Sequence, residues 1–192
     1  MCLLFSLPEG LAEQGLRPQA RIYYHGSVNF VCGVCGFAVA GCMIRGMEMI
    51  TIVPIEASDQ LMGAVYALRH DVFVDEQGIT QELERDEEDK SATHLVGLSH
   101  GRVVGTLRIV RHGPEAKVGR MAVALSSRKK WIGRRLMEFA ADHCRDIGVT
   151  EIVLGAQVTA RDFYTKLGYV EEGPVFDDAG LPHIMMRKKL RA

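Results

Sequence analysis

Met121-Ala122-Val123-Ala124-Leu125-Ser126-Ser127-Arg128-Lys129-Lys130-Trp131-Ile132-Gly133-Arg134-Arg135-Leu136-Met137 is the stretch that decides the fold. It reads as an apolar strand, a short basic turn and the start of an amphipathic helix. The first amides of a helix have no intrahelical acceptor, and the helix dipole is positive there. Basic side chains at that end oppose the dipole, so local structure alone does not favour Arg128, Lys129, Lys130, Arg134 and Arg135. A bound anion would offset the repulsion, and oriented amides with cationic side chains suit a phosphate.

Working outward, residues 132–147 form an amphipathic helix. Ile132, Leu136, Phe139, Ala140, His143 and Ile147 share one face, and Gly148 provides the stop. Upstream, residues 118–125 read as a strand. Residues 93–98 and 102–111 read as a hairpin turning at Ser99-His100-Gly101. Farther upstream, residues 49–55 are a strand, and a helix capped by Ser58 carries Leu61, Val65, Leu68 and Val72. It ends at Gly78, and residues 81–90 read as an acidic loop. Downstream come a strand at 151–156, a helix at 159–167 and strands at 169–172 and 183–190. Gly173-Pro174 and Leu181-Pro182 punctuate the loop between those last two strands. The order implies an α+β domain of three layers: a mixed, mostly antiparallel central sheet with helices on both faces.

The 192 residues carry 23 Lys+Arg against 24 Asp+Glu, a net charge of −1. That balance gives no bulk attraction to nucleic acid or to an anionic membrane, so phosphate recognition has to be local. Neither nucleic acid nor membrane is expected as a partner. Cys2, Cys32, Cys35 and Cys42 crowd the first residues. Cys144, alone in the remainder, lies mid-helix and does not read as a nucleophile. A body without a disulfide framework suits the cytoplasm.

Residues 1–46 differ in kind, with few charges and no helical period. Val39-Ala40-Gly41-Cys42 matches a lipoprotein cleavage box, but behind an n-region too long for one. Cys32-Gly33-Val34-Cys35 with Cys42 and His25 is a weak metal pattern, and no metal is expected. The reading is an atypical extension, disordered or no part of the native protein, ahead of a domain at residues 47–192 that starts at Met47 or Met49. A native peptide covering residues 21–45 in N-terminal mass spectrometry would refute that start.

Over residues 49–190 these elements resemble the GNAT superfamily of acyl-CoA-dependent N-acyltransferases. Arg128-Lys129-Lys130-Trp131-Ile132-Gly133 is similar to the family's Arg/Gln-x-x-Gly-x-Gly/Ala loop, with Trp131 where the first Gly usually stands. Ala160-Arg161-Asp162-Phe163-Tyr164-Thr165-Lys166-Leu167-Gly168-Tyr169 resembles its A-x-x-F-Y-x-K-x-G-F/Y segment. Leu68-Arg69-His70-Asp71-Val72-Phe73-Val74-Asp75-Glu76-Gln77 and Phe176-Asp177-Asp178-Ala179-Gly180-Leu181-Pro182-His183 look like the ElaA-like branch. The first of these is also similar to acyl-homoserine-lactone synthases, which share the fold.

The resemblance implies an acetyl-CoA-dependent N-acetyltransferase with direct transfer. Its pantetheine would lie along Met121, Ala122 and Val123. Its diphosphate would lie on Arg128, Lys129, Lys130, Trp131, Ile132, Gly133 and Arg134. A backbone N–H near Val123 would hold the oxyanion, and Tyr164 would be the acid on the leaving thiol. Glu76 and His183 stand as alternative bases for the amine. At Trp131 the expectation is a negative φ with the ring turned away, stacked on adenine or covering the sheet. The acidic residues from Glu82 to Asp89 are a solvated loop or an attractor for a cationic acceptor. His94, His100 and His143 are structural. The acceptor would be a small-molecule amine, and the protein a monomer or homodimer. The alternatives are a non-catalytic acyl-CoA-binding regulatory module and acyl transfer to another acceptor, as in the lactone synthases.

Overall fold

The computed structural model describes residues 21–24 and 49–190. One eight-stranded sheet is built from β1 (Arg21–Tyr24), β2 (Met49–Ile55), β3 (Thr93–Ser99), β4 (Arg102–His112), β5 (Glu115–Val123), β6 (Glu151–Gln157), β7 (Val170–Asp178) and β8 (Leu181–Lys189). Its order is β1-β2-β3-β4-β5-β6-β8-β7, antiparallel throughout except between β5 and β6. Helices α1 (Met62–Arg69), α2 (Gln81–Glu84), α3 (Ile132–Asp146) and α4 (Arg161–Thr165) complete the fold. The mixed, mostly antiparallel sheet with helices on both faces is as expected.

The two layers follow from the period-2 alternation of the strands. Ile52, Leu95, Leu107 and Ile109 turn one way, into a core shared with Ile132, Leu136, Phe139 and Ala140 of α3. Val53, Ile55 and Val96 turn the other way, onto Met62 and Val65 of α1. Gly105 on β4 sets how closely α3 approaches. A Cβ there would sit 2.8 Å from Ile132 Cγ2 and 3.0 Å from Leu136 Cδ1, so the first turn of α3 rests on bare backbone.

The parallel pair β5–β6 holds for a short distance only. Its register runs from Glu115↔Glu151 to Lys117↔Val153 and then ends. β6 continues on β8 as far as Gln157↔His183, and β5 on β4 as far as Gly105↔Val123. Past Lys117 the strands therefore diverge, and the edge of β5 that faced β6 has no neighbouring strand among the described residues.

Several local expectations change. Ser58 does not cap α1; Asp59 Oδ1 accepts the N–H of Leu61 at 2.9 Å instead. The helix ends as α at Arg69 and continues as a π-helix over His70–Asp75, with Glu76 N–H reaching the carbonyl of Asp71 at 3.1 Å. Residues 81–90, expected as a loop, form α2 and a 3-10 turn at Glu87–Lys90, with Glu84 and Asp89 buried and most of the others exposed. The segment expected as a loop before His183 is part of a hairpin, since β7 extends to Asp178 and turns at Ala179-Gly180 with φ of 52° and 80°. Such paired positive φ values match the twist of the strands they join. Gly173-Pro174 falls instead at a register shift within β7.

Arg21–Tyr24, from the segment set apart by composition, pairs antiparallel with β2. Cys32, Cys35, Cys42, His25 and the sequence Val39-Ala40-Gly41-Cys42 lie outside the described residues. Among the described residues no helix is long and apolar enough to cross a membrane.

Candidate active site

Two structural features meet at the divergence of β5 and β6: the unpaired edge of β5 and the start of α3. Ala124 N–H donates to Val104 O on β4 at 3.0 Å. Strand alternation then turns the N–H and C=O of Val123 to the opposite edge, into the cleft. Beyond β5 a 3-10 turn at Leu125–Ser127 leads to Arg128 and α3. Arg135 N–H is the first of the helix to find a carbonyl, that of Trp131 at 3.0 Å. The amides of Ile132, Gly133 and Arg134 have no backbone acceptor among the described residues. Gly133 faces Phe163 and Met121 at this end, where a Cβ would lie at ordinary contact distance, 3.5 Å from Phe163 Cζ and 3.9 Å from Met121 Sδ.

Trp131 corrects one expectation. Its φ is +65°, so the Trp131 backbone is left-handed and not at the negative φ expected. The ring is 58% exposed, and the Arg134 guanidinium lies 5.7 Å from its centroid. Lys129 is also left-handed, at φ +63°. Two non-glycine residues in this conformation within three positions store strain beside the unsatisfied amides.

Tyr164 sits in the first turns of α4, 8% exposed, with its ring edge-on to Phe163 and to Tyr169 at centroid distances of 5.0 and 5.9 Å. Burial pushes its phenol up to about 12, so it stays protonated through neutral pH. Tyr169 is likewise raised by burial, and its hydroxyl has no partner among the described residues.

Glu76 and His183 lie at different elements of the same end of the sheet. Glu76 Oε2 accepts from Arg128 Nη2 at 2.7 Å, while Arg128 Nε donates to Val123 O at 3.0 Å. The Arg128 side chain therefore turns toward the π-helix. Gln77 Oε1 accepts from Gln157 Nε2 at 2.9 Å, at the end of β6. His183 is the cross-strand partner of Gln157, is 9% exposed and lies beside Phe176 with centroids 6.0 Å apart. Its Nδ1 is 2.8 Å from Leu181 O. A carbonyl only accepts, so Nδ1 carries a proton, and in the neutral ring Nε2 then presents a lone pair.

Two residues of the acidic run, Glu84 and Asp89, are core, while Glu82, Asp86 and Glu87 stay exposed. Arg69, Glu84, Asp89 and Arg108 are all buried. Arg69 Nε bonds Glu84 Oε1, and its Nη1 and Nη2 bond Asp89 at 2.8 and 3.0 Å. Arg108 bonds Asp89 at 2.9 Å, Glu88 at 3.0 Å and Asp86. Arg120, held at φ +51° where the β4–β5 register shifts, donates to Glu84 O at 2.8 Å. Burial raises the Asp89 carboxyl, but bonds and charge from Arg69 and Arg108 outweigh it and bring the group down to about 2. His94 is buried against this group with Nε2 3.0 Å from Asp89 O, and burial lowers its pKa. The sequence signal for this arrangement was an arginine in an apolar helix face and another inside an apolar strand, which needed buried carboxylates.

No metal constellation is apparent from spacing, yet the π turn brings ligand atoms of His70, Asp71 and Asp75 within 4.8 Å of one another. His70 and Asp75 pair there at 3.4 Å, half-exposed, as surface charges do. Cys144 is buried in α3, and burial pushes its thiol up to about 11, which removes it as a nucleophile.

Residues 54–190 match the acetyltransferase (GNAT) domain family. The chain is 35% identical over 131 residues to the uncharacterized N-acetyltransferase YjcF of Bacillus subtilis, covering 68% of this chain and 93% of YjcF. The crystal structure of Escherichia coli ElaA superimposes with a TM-score of 0.66 at 26% identity, covering 73% of this chain and 99% of that one. An acyl-CoA N-acyltransferase from Pseudomonas aeruginosa does so with a TM-score of 0.66 at 27% identity, covering 72% and 99%. A sheet splayed between its two parallel strands, a helix start with unmatched amides and these likenesses agree: the chain belongs to the GNAT family and is an acyltransferase that draws its acyl group from acyl-CoA.

Proposed function

We propose that the enzyme is an N-acetyltransferase that moves the acetyl group of acetyl-CoA directly to the amine of a small molecule. The observation that carries this reading is the cleft past Lys117, where a strand edge leads to α3 amides, both without backbone partners among the described residues. The edge offers strand-like hydrogen bonds to the pantetheine amides from Met121 and Val123, with Ala122 between them turning its own polar groups to β4. The amides of Ile132, Gly133 and Arg134 face a diphosphate, with Lys129, Lys130 and Arg134 supplying charge and Trp131 an exposed apolar surface. Arg128 joins this loop through its backbone, its side chain being engaged with Glu76.

The chemistry assigned to each residue follows from its surroundings. His183 Nε2 takes the proton from the attacking amine, and Glu76 is the alternative through its oxygen not held by Arg128. The amine nitrogen then bonds the thioester carbon. Val123 N–H stabilises the charge that develops on the carbonyl oxygen. As the carbon–sulfur bond breaks, Tyr164 gives its proton to the departing thiolate, and its buried, protonated phenol suits that role. No residue of the chain becomes acylated. The catalytic unit is assigned to residues 47–192, and the enzyme to the cytoplasm, working as a monomer or homodimer without a metal.

The test is a thermal-shift titration with acetyl-CoA followed by thiol release over a panel of amines. A ligand at 100 times its Kd stabilises the fold by about 2.7 kcal/mol, which moves the transition by several degrees. Stabilisation without turnover on any amine identifies a non-catalytic acyl-CoA-binding module instead. No stabilisation at all refutes the coenzyme site.

A further inference from the structure

Two consecutive residues grip the two diverging strands. Glu76 holds the end of β5, through Arg128 and so through the carbonyl of Val123. Gln77 holds the end of β6, through Gln157. The register between β5 and β6 has already ended at Lys117↔Val153, so backbone pairing no longer fixes the separation of their far ends. The side-chain links from one short segment span that gap.

The segment itself is placed from behind. Arg69, fully buried, is pinned by Glu84 and Asp89 immediately before the π-helix begins. The wider π turn then carries the chain to Glu76, and Gly78 and Ile79 N–H groups close it on the carbonyls of Val74 and Phe73 at 2.9 Å each. π turns are rare and cluster at functional sites, because their looser geometry is retained only where something else benefits.

We infer that Arg128, Gln77 and Gln157 are positioning residues that strap the π-helix across the cleft, fixing Glu76 and His183 relative to the thioester edge of β5. This rests on the acetyl-transfer reading above for its catalytic consequence, but not for the strap itself. Each link leaves groups spare for an acceptor. The Gln77–Gln157 bond uses one N–H and one carbonyl, so the Gln77 amide protons and the Gln157 carbonyl remain to orient a polar group on the amine substrate. Cross-strand pairing puts Gln157 beside His183, so that group would lie next to the base.

The experiment compares Gln77→Leu, Gln157→Leu, the double variant and the exchanged pair Gln77→Glu with Gln157→Lys. Each is measured for acetyl-CoA affinity, kcat on the best amine and hydrogen exchange over residues 74–80. Either leucine variant is expected to lower kcat about tenfold through misplacement of the base, with acetyl-CoA affinity unchanged. Both should speed exchange over residues 74–80. The double variant should be no worse than either single one, because one contact is lost in all three. The exchanged pair, which restores a link as an ion pair, should slow exchange again and recover turnover. Unchanged exchange with unchanged kcat overturns the inference. So do additive losses in the double variant, or acetyl-CoA affinity that falls together with kcat. If the wild type acetylates no amine, the function proposed above fails, and the exchange data alone decide the strap.

Discussion

Two of the groups of paired charge differ in everything but residue type. The first, Arg69–Glu84–Asp89–Arg108, lies in the core, with Asp89 bonded by both arginines. The second, Glu76–Arg128, lies half-exposed at the mouth of the cleft and keeps a carboxylate oxygen in reserve. A buried pair recovers its desolvation cost only when its hydrogen bonds are nearly all made. An open pair can release a partner and take up another. The first group is thus suited to hold the backbone in place, and the second to take part in an encounter with a ligand.

Arg69→Met separates the two roles most sharply. It leaves Glu84 and Asp89 buried without their main partner, and breaking such a pair costs about 3–5 kcal/mol. Chemical denaturation should show a loss of that size, whereas Glu76→Gln should change stability little. Equal losses would erase the distinction.

Next in size is Tyr164→Phe, which removes a proton donor while leaving the ring in its aromatic cluster. Turnover should fall about 100-fold with acetyl-CoA affinity preserved. Because burial holds the phenol near 12, the wild-type kcat should show no alkaline limb from Tyr164 below pH 10. A variant with wild-type kcat removes Tyr164 from the chemistry.

Acid provides a finer comparison. Asp89 has a folded value of about 2 against an ordinary 3.8, so its contribution is present above pH 4 and is lost as pH falls toward 2. Over that window the wild type should lose more stability than Asp89→Asn, which has no carboxylate to titrate there. Parallel curves would show that the buried arginines do not favour the ionised form.

The smallest effect is expected at Trp131. Replacing a left-handed Trp by Gly should relieve about 1 kcal/mol of backbone strain, read as a modest rise in denaturation midpoint. If acetyl-CoA affinity also rises, the indole obstructs the loop; if it falls, the ring contributes a contact.

Much of the fold was legible because periodicity reports burial. The alternation in residues 93–111 and the apolar face of α3 each pointed to one side of a sheet. The basic turn was legible because its charges oppose the helix dipole. What escaped depended on distance in sequence. The acidic run looks solvated until Arg69 and Arg108 are brought to it across 20 and 19 positions from Asp89. The Gln77–Gln157 bond spans 80 positions and involves two residues with no chemical signature of their own. Trp131 was read against the usual preference for φ < 0; the turn into α3 overrides that preference.

The central claim is tested most directly by incubating the protein with acetyl-CoA and a panel of small amines. Mass spectrometry then follows the amines, the free coenzyme and the protein together. The account predicts one acetylated amine for each free coenzyme A released, with no acetyl group on the protein. Acetyl-CoA that binds but is never consumed, or an acetylated enzyme formed ahead of product, would contradict it.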